Sequence, residues 1–317
     1  MDKDVNNPVI LVDGSFYLYR SYYALPYLIN TKGEPTGAMY GVLNVLKKLL
    51  TIYRKSLVIV VFDAKGKTFR NKLFNEYKSH RSLMPSDLIN QIEPLNNVIK
   101  AIGLPTLTIN NVEADDVIGT LALTYARDGR KVLISTGDKD LTQLVSPKIA
   151  LIDIKSNTIF GPKEIQSKFG LPPELFVDYL ALTGDSSDNI PGVPGIGKKT
   201  AKTLLIKIGK LERLYQQLNV ISKLKFHGAK FIADKLKKHR EVAFLSYQLA
   251  TIKTNISLDL FYKQLTMKLP DIRVLTLLFQ HYEFKNYLDD LEKRKEWLNS
   301  RKHFQLLSIR RAVINHI

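Results

Sequence analysis

The chain contains no cysteine. Disulfides, thiolate nucleophiles and Cys-ligated zinc are therefore excluded. It also lacks any stretch near the roughly 20 consecutive apolar residues that a membrane helix needs. The start, Met1-Asp2-Lys3-Asp4, is polar, and the first apolar run, Val9-Ile10-Leu11-Val12, is far too short for a secretory signal. There is no repeat of fixed period and no low-complexity segment. Acidic residues are in deficit: 30 Asp+Glu stand against 47 Lys+Arg, for a formal net charge of +17. That excess implies attraction to a polyanion. Together these features lead us to expect a soluble, intracellular protein that meets nucleic acid and no membrane.

At 317 residues the chain can bury a sizeable core, and length suggests about two domains. Short apolar runs at Val9–Val12, Leu57–Phe62 and Lys131–Ser135 read as buried strands, with further strands expected around Ala150–Ile154 and Thr158–Phe160. Met39, Val42, Leu43, Leu46, Leu49, Leu50 and Tyr53 recur at helical spacing, so that helix faces a core. Pro85 opens a helix reaching about Ile102, and Gly103-Leu104-Pro105 stops it. Another runs from the Val112–Ile118 segment to Ala126. Alternation of this kind predicts an α/β fold with a mainly parallel sheet flanked by helices. After Gly170 the strand signal disappears and only helical patterns follow, including Thr200–Ile208, Val242–Leu249 and Ile272–Phe279.

Nine acids fall at the ends of these elements: Asp13, Asp63, Glu113, Asp115, Asp116, Asp138, Asp140, Asp185 and Asp188. Singly, each has an ordinary explanation as a cap or a favoured charge at a helix start. Nine converging carboxylates would repel one another unless cations sit among them. With no Cys and little suitably placed His, the donor set is all oxygen, which selects Mg²⁺ or Mn²⁺. The number suits two ions about 3.5–4 Å apart, an arrangement used for phosphodiester hydrolysis.

Two basic features complete the pattern. Gly184 to Lys199 joins the pair Asp185 and Asp188, which would share a face if the segment were one helical turn, to a glycine hairpin. Gly192, Gly195 and Gly197 there permit positive φ and close backbone approach, and Lys198 and Lys199 begin a helix whose free N–H groups suit phosphate. A Gly-rich turn before a helix can also be only a turn. The stretch 64–85 crowds Lys65, Lys67, Arg70, Lys72, Lys78, His80 and Arg81 with Phe69, Phe74 and Tyr77. It reads either as a solvated helix or as a strand-handling segment beside Asp63.

The motifs Val12-Asp13-Gly14, Val61-Phe62-Asp63-Ala64-Lys65, Val112-Glu113-Ala114-Asp115-Asp116-Val117-Ile118-Gly119, Ser135-Thr136-Gly137-Asp138-Lys139-Asp140 and Thr183-Gly184-Asp185-Ser186-Ser187-Asp188-Asn189-Ile190-Pro191-Gly192 resemble the 5′-3′ exonuclease domain of bacterial DNA polymerases I, within the flap endonuclease family. The resemblance spans about residues 5–290. It implies a PIN-like core over 1–170, a helical arch within the basic segment 64–112, an all-helical subdomain with a helix-hairpin-helix over 171–290, and a basic tail over 291–317. It implies a first metal held by Asp13, Asp63, Glu113, Asp115 and Asp116, some through water, and a second held by Asp138, Asp140, Asp185 and Asp188. It further implies that Lys78 and Arg81 contact the reacting phosphate, that Tyr77 stacks a base, that Arg20 and Arg70 contact DNA, and that the hairpin holds K⁺. The expected substrate is duplex DNA with a 5′ flap, nick or 5′ end, with some tolerance of an RNA primer. The expected setting is a monomer in the bacterial cytoplasm, associated with the nucleoid, with no small-molecule cofactor. The chain stops at Ile317 without a polymerase motif, so a free-standing nuclease and a fragment of a polymerase are both open. A PIN-type ribonuclease and a non-catalytic DNA-binding module are the competing classes.

Overall fold

The computed structural model describes residues 7–224, 229–258 and 261–300. The first half runs β1 (Val9–Asp13), α1 (Gly14–Ala24), α2 (Gly37–Ile52), β2 (Val58–Asp63), α3 (Phe69–Leu73), α4 (Ser86–Ile102), β3 (Thr106–Ile109), α5 (Ala114–Arg127), β4 (Val132–Ser135), β5 (Ile149–Asp153), β6 (Thr158–Phe160) and α6 (Pro162–Phe169). The second is all helical: α7 (Phe176–Thr183), α8 (Lys198–Ile208), α9 (Leu211–Gln216), α10 (Leu218–Ile221), α11 (Ala229–Lys238), α12 (Arg240–Ala250), α13 (Phe261–Gln264), α14 (Ile272–His281) and α15 (Lys285–Ser300). No helix among the described residues is long and apolar enough to cross a membrane.

The six strands lie in the order β3-β2-β1-β4-β5-β6. All pairs are parallel except β5 with β6. The continuous apolar runs follow from burial on both faces. On β1, Ile10 and Val12 enter a core shared with α2 and α4, while Val9 and Leu11 enter the opposite core with α5. The chain leaves β1 for β2 on one side and later for β4 on the other. Strand order therefore reverses at β1, and the carboxyl ends of β1, β2 and β4 open a crevice where such sheets bind ligands.

The sequence expectations meet three corrections here. The edge strand β3 carries no continuous apolar run: Thr-Leu-Thr-Ile is only partly buried, so hydropathy does not announce it. The basic segment forms no helical arch among its described residues. It contains the five-residue α3, a series of turns to Ser82, and then α4, whose Leu88, Leu95, Val98 and Ile99 are fully buried in the first core. Finally, the helical region does not extend to residue 290 as one unit. Leu275, Phe279, Phe284, Tyr287 and Leu291 return to the first core, where the rings of Phe284 and Tyr287 pack edge-on to Tyr40 at 5.3 and 5.8 Å. The separate helical core draws on α7 to α12 together with the hairpin residues Val193 and Ile196. Of the expected basic tail, residues 301–317 lie outside the described residues.

Candidate active site

Asp13 ends β1 and caps α1. Its Oδ1 accepts from the Phe16 N–H at 2.9 Å and its Oδ2 from the Thr136 hydroxyl at 2.9 Å. Asp63 ends β2 and is exposed; its Oδ1 accepts from the Ala114 N–H at 2.7 Å, tying that strand end to the start of α5. Asp138 follows β4 and accepts from the Asp140 N–H at 2.9 Å. The sheet topology thus gathers acids distant in sequence. Burial first, then the charges of Asp63 and Asp138, push the Asp13 carboxyl up to about 7. Burial and the charges of Asp13 and Asp138 raise Asp115 well above the usual carboxylate range. Burial and Asp138 likewise push Asp140 up to about 7.

Asp185 and Asp188 come from the helical half, but not on a helical turn. Asp185 and Ile190 form a two-way backbone bridge, N to O at 2.9 and 2.8 Å, and residues 186–189 make the turn. Gly192 closes the base of this loop: a Cβ there would lie 2.2 Å from the Gly184 nitrogen. Gly192 is buried and packs on protein, which corrects its expected place at DNA.

Cations of the basic segment sit directly on these acids. Lys78 Nζ donates to Glu113 Oε1 at 2.7 Å and lies 3.4 Å from Asp188 Oδ2. Arg81 pairs with Asp188 and donates from Nε to the Ser187 carbonyl at 3.2 Å. Burial alone would lower the Lys78 ammonium, but the charges of Glu113 and Asp188 more than reverse this, so it stays protonated. Lys139 bridges Asp140, at 3.1 Å, and Asp185. Burial would raise Asp185, yet its bonds from Lys139 and Ser187 hold it below the usual range. Nothing in the spacing singles out Lys139 except its position inside Asp138-Lys139-Asp140.

Arg70 and Tyr77, expected at DNA, are buried inside the protein. Arg70 is 2% exposed and Tyr77 3% exposed. Arg70 bonds both oxygens of Asp116, one of Glu113, and the carbonyls of Leu249 and Thr251. The Tyr77 hydroxyl donates to Glu113 and Asp188, each at 3.1 Å. Burial and those two charges push its phenol upward, so it remains a donor. Asp116 is fully buried and also accepts from the Glu113 and Lys253 N–H groups. Its carboxylate is committed to this network. These three residues are internal supports. Arg20, by contrast, is exposed on α1, its guanidinium 5.7 Å from the Phe16 ring centre.

At the hairpin, Gly195 adopts φ +77°, and a Cβ there would strike Lys235 Nζ at 2.3 Å. Lys235 of α11 therefore joins the hairpin's positive surface. Gly197, at φ −87°, precedes α8 with open space around its absent Cβ, so the left-handed freedom expected of it is not used. Lys198 and Lys199 are exposed at the first turn of α8.

Comparison with known proteins identifies the family and the fold. Residues 8–170 match the family model of the 5′-3′ exonuclease N-terminal resolvase-like domain, and residues 171–273 that of the 5′-3′ exonuclease C-terminal SAM fold. The chain is 52% identical over 285 residues to DNA polymerase I of Pseudomonas aeruginosa, covering 90% of this chain and 31% of that protein. It is 47% identical over 269 residues to the 5′-3′ exonuclease of Buchnera aphidicola from Acyrthosiphon pisum, covering 84% of this chain and 94% of that one. The chain thus spans about a third of the polymerase relative and nearly all of the exonuclease. In fold it is similar to the T5 D15 protein co-crystallised with metal ions (TM-score 0.65, 20% identity, 90% of this chain and 99% of that one). It is also similar to the catalytic core of Rad2 in complex with DNA substrate (TM-score 0.61, 17% identity, 88% of each chain). With both halves matched in order, the chain belongs to the 5′-3′ exonuclease family.

Proposed function

We propose that this chain is a structure-specific 5′ nuclease that hydrolyses phosphodiester bonds at 5′ ends, nicks and 5′ flaps of duplex DNA, as in primer removal and repair. One observation carries the reading: Lys78 and Arg81 of the basic segment meet Glu113 of the sheet half and Asp188 of the helical half at the sheet's carboxyl edge. Cations poised over acids from both halves are what phosphate capture beside a metal site requires.

Among the described residues no three carboxylates are already gathered as a metal cage. The donor chemistry nevertheless fits a divalent cation. Asp13, Asp115 and Asp140 are held in the fold with proton affinities raised by burial and mutual repulsion, which a hard cation would relieve. Asp13, Asp63, Glu113 and Asp115 are the residues proposed to hold one Mg²⁺, and Asp138, Asp140, Asp185 and Asp188 a second, with Mn²⁺ able to substitute. Asp116 is left out because it is fully buried, with both oxygens tied to the buried Arg70 and to backbone N–H groups, whereas Glu113 and Asp188 also face the partly exposed Lys78 and Arg81. The chemistry such ions supply is activation of water and stabilisation of the leaving oxygen. The hairpin carbonyls would hold K⁺.

The chain's own groups do the rest. Lys78 and Arg81 exchange their carboxylate partners for the oxygens of the scissile phosphate and balance charge as it builds there. The α8 start, with Lys198, Lys199 and Lys235, grips duplex phosphates without reading bases. The likeness in fold to the T5 D15 protein co-crystallised with metal ions and to the Rad2 catalytic core in complex with DNA substrate supports the metal-dependent, DNA-handling reading. The test is cleavage of 5′-labelled flap, nicked and single-stranded substrates with Mg²⁺ or chelator. Flap cleavage that needs the cation is the expected result. Preference for RNA would favour a ribonuclease, and binding without cutting a non-catalytic module.

A further inference from the structure

Among the described residues, Lys78 is one of five non-glycine residues with positive φ, at 54°. L-residues avoid this region, so the surroundings must impose it. Backbone closes part of the turn, the Ser79 N–H donating to the Glu76 carbonyl at 3.1 Å, and specific side-chain contacts add to it. The carbonyl of Glu76 accepts from Asn189 Nδ2 at 2.8 Å, and the carbonyl of Tyr77 accepts from Asn71 Nδ2 at 3.1 Å. These are the two peptide carbonyls immediately before Lys78. The Lys78 N–H then donates to the Asp188 carbonyl at 3.0 Å. The two amides come from different parts of the chain. Asn71 sits in α3, where its Oδ1 accepts from the Thr68 N–H at 2.9 Å. Asn189 sits in the acid turn and is itself left-handed, at φ 57°, a conformation that Asn tolerates better than most residues.

We propose that Asn71 and Asn189 are positioning residues for phosphodiester cleavage. By gripping consecutive carbonyls they hold Lys78 in its left-handed turn and aim its ammonium at the scissile phosphate. Neither amide touches the phosphate. The pair also sets distance: Asn189 adjoins Asp188, so the turn that carries the acid fixes the height of the cation above it. This inference rests on the role of Lys78 proposed above.

Asn189→Gly separates the two properties of the residue, because glycine keeps the left-handed backbone and removes the amide. Single-turnover cleavage and flap binding are measured for this variant in the wild-type and Lys78→Ala backgrounds, with melting temperature alongside. The expected result is cleavage slowed by roughly 10-fold or more, the scale of a misplaced reacting group, with flap affinity unchanged. In the Lys78→Ala background the same substitution slows cleavage no further. Should Asn189→Gly melt below the assay temperature, Asn71→Asp carries the same test, since it keeps the acceptor for Thr68 and loses the donor. Equal slowing in both backgrounds, or a wild-type rate in both Asn variants, overturns the positioning role alone. A wild-type rate for Lys78→Ala overturns the role of Lys78 and the positioning with it.

Discussion

The guanidinium of Arg70 meets the carboxylate of Asp116 fork to fork, Nη1 to Oδ2 and Nη2 to Oδ1, each at 2.8 Å, with both residues buried. Arg70 lies in the basic segment, Asp116 begins α5, and further Arg70 donors close on the carbonyls of Leu249, in the last turn of α12, and Thr251, just after it. One side chain thus ties the sheet half to the helical half. Burial alone would make the guanidinium easier to deprotonate, but Asp116 and Glu113 more than reverse this.

Asp116→Ala therefore leaves the buried Arg70 cation with only Glu113 as a charged partner and two of its donors without their carboxylate. The expected loss of unfolding free energy is about 3–5 kcal/mol. Replacing both residues with apolar ones, Arg70→Met with Asp116→Leu, recovers only part of it, since the Glu113 and Lys253 N–H groups and the Leu249 and Thr251 carbonyls lose their partners. Denaturant unfolding of the single and double variants measures both. A loss under about 1 kcal/mol, typical of an exposed pair, would contradict the buried fork.

Lys78→Ala removes a cation aimed at developing charge without disturbing the core. Its single-turnover rate should fall by roughly 10²-fold or more, the scale for one lost electrostatic contact. Flap affinity should change little, since many other cations grip the duplex. A rate near wild type would show that Lys78 serves only to neutralise Glu113 and Asp188.

The clustered acids give the metal-free protein a pH dependence of defined sign. Asp13 and Asp140 stand at about 7 in the fold against an ordinary 3.8, so the folded state binds their protons more tightly than the unfolded state. Their stabilising contribution is full below about pH 4 and is lost as pH rises through about 7. Melting temperature in chelator should accordingly fall from about pH 4 to about pH 7 and level off above it. Mg²⁺ at pH 8 should raise it again by binding the folded state. Calorimetry with and without Mg²⁺ checks both signs, and a rise with pH in chelator would contradict the crowding.

The two exposed hairpin glycines should separate. Gly195→Val forces a β-branched residue to φ +77° against Lys235, so both stability and duplex affinity should drop. Gly197→Ala meets open space at an ordinary φ, so melting should barely change while duplex binding weakens if backbone approaches phosphate there. Binding by both variants and wild type should fall steeply with salt. Unchanged Gly197→Ala affinity, measured by fluorescence anisotropy, would remove that approach from the hairpin.

The sequence by itself determined the α/β class, the buried runs, the ordered acids and the hairpin, because each is local: burial on both faces demands a continuous apolar strand, and α8 begins next to its lysines. The half-exposed β3 lacked that signal and was legible only from its pairing with β2. The nine acids look equivalent along the chain. Only the tertiary structure decided that Asp116 belongs to Arg70 and that Tyr77 is an internal donor. It also decided that Asp185 and Asp188 ride a bridged loop and that Asn71 and Asn189 converge before Lys78. The physical reason is that burial and pairing depend on which distant segments the sheet order and helix packing bring together, and residue type and spacing carry no record of that neighbour.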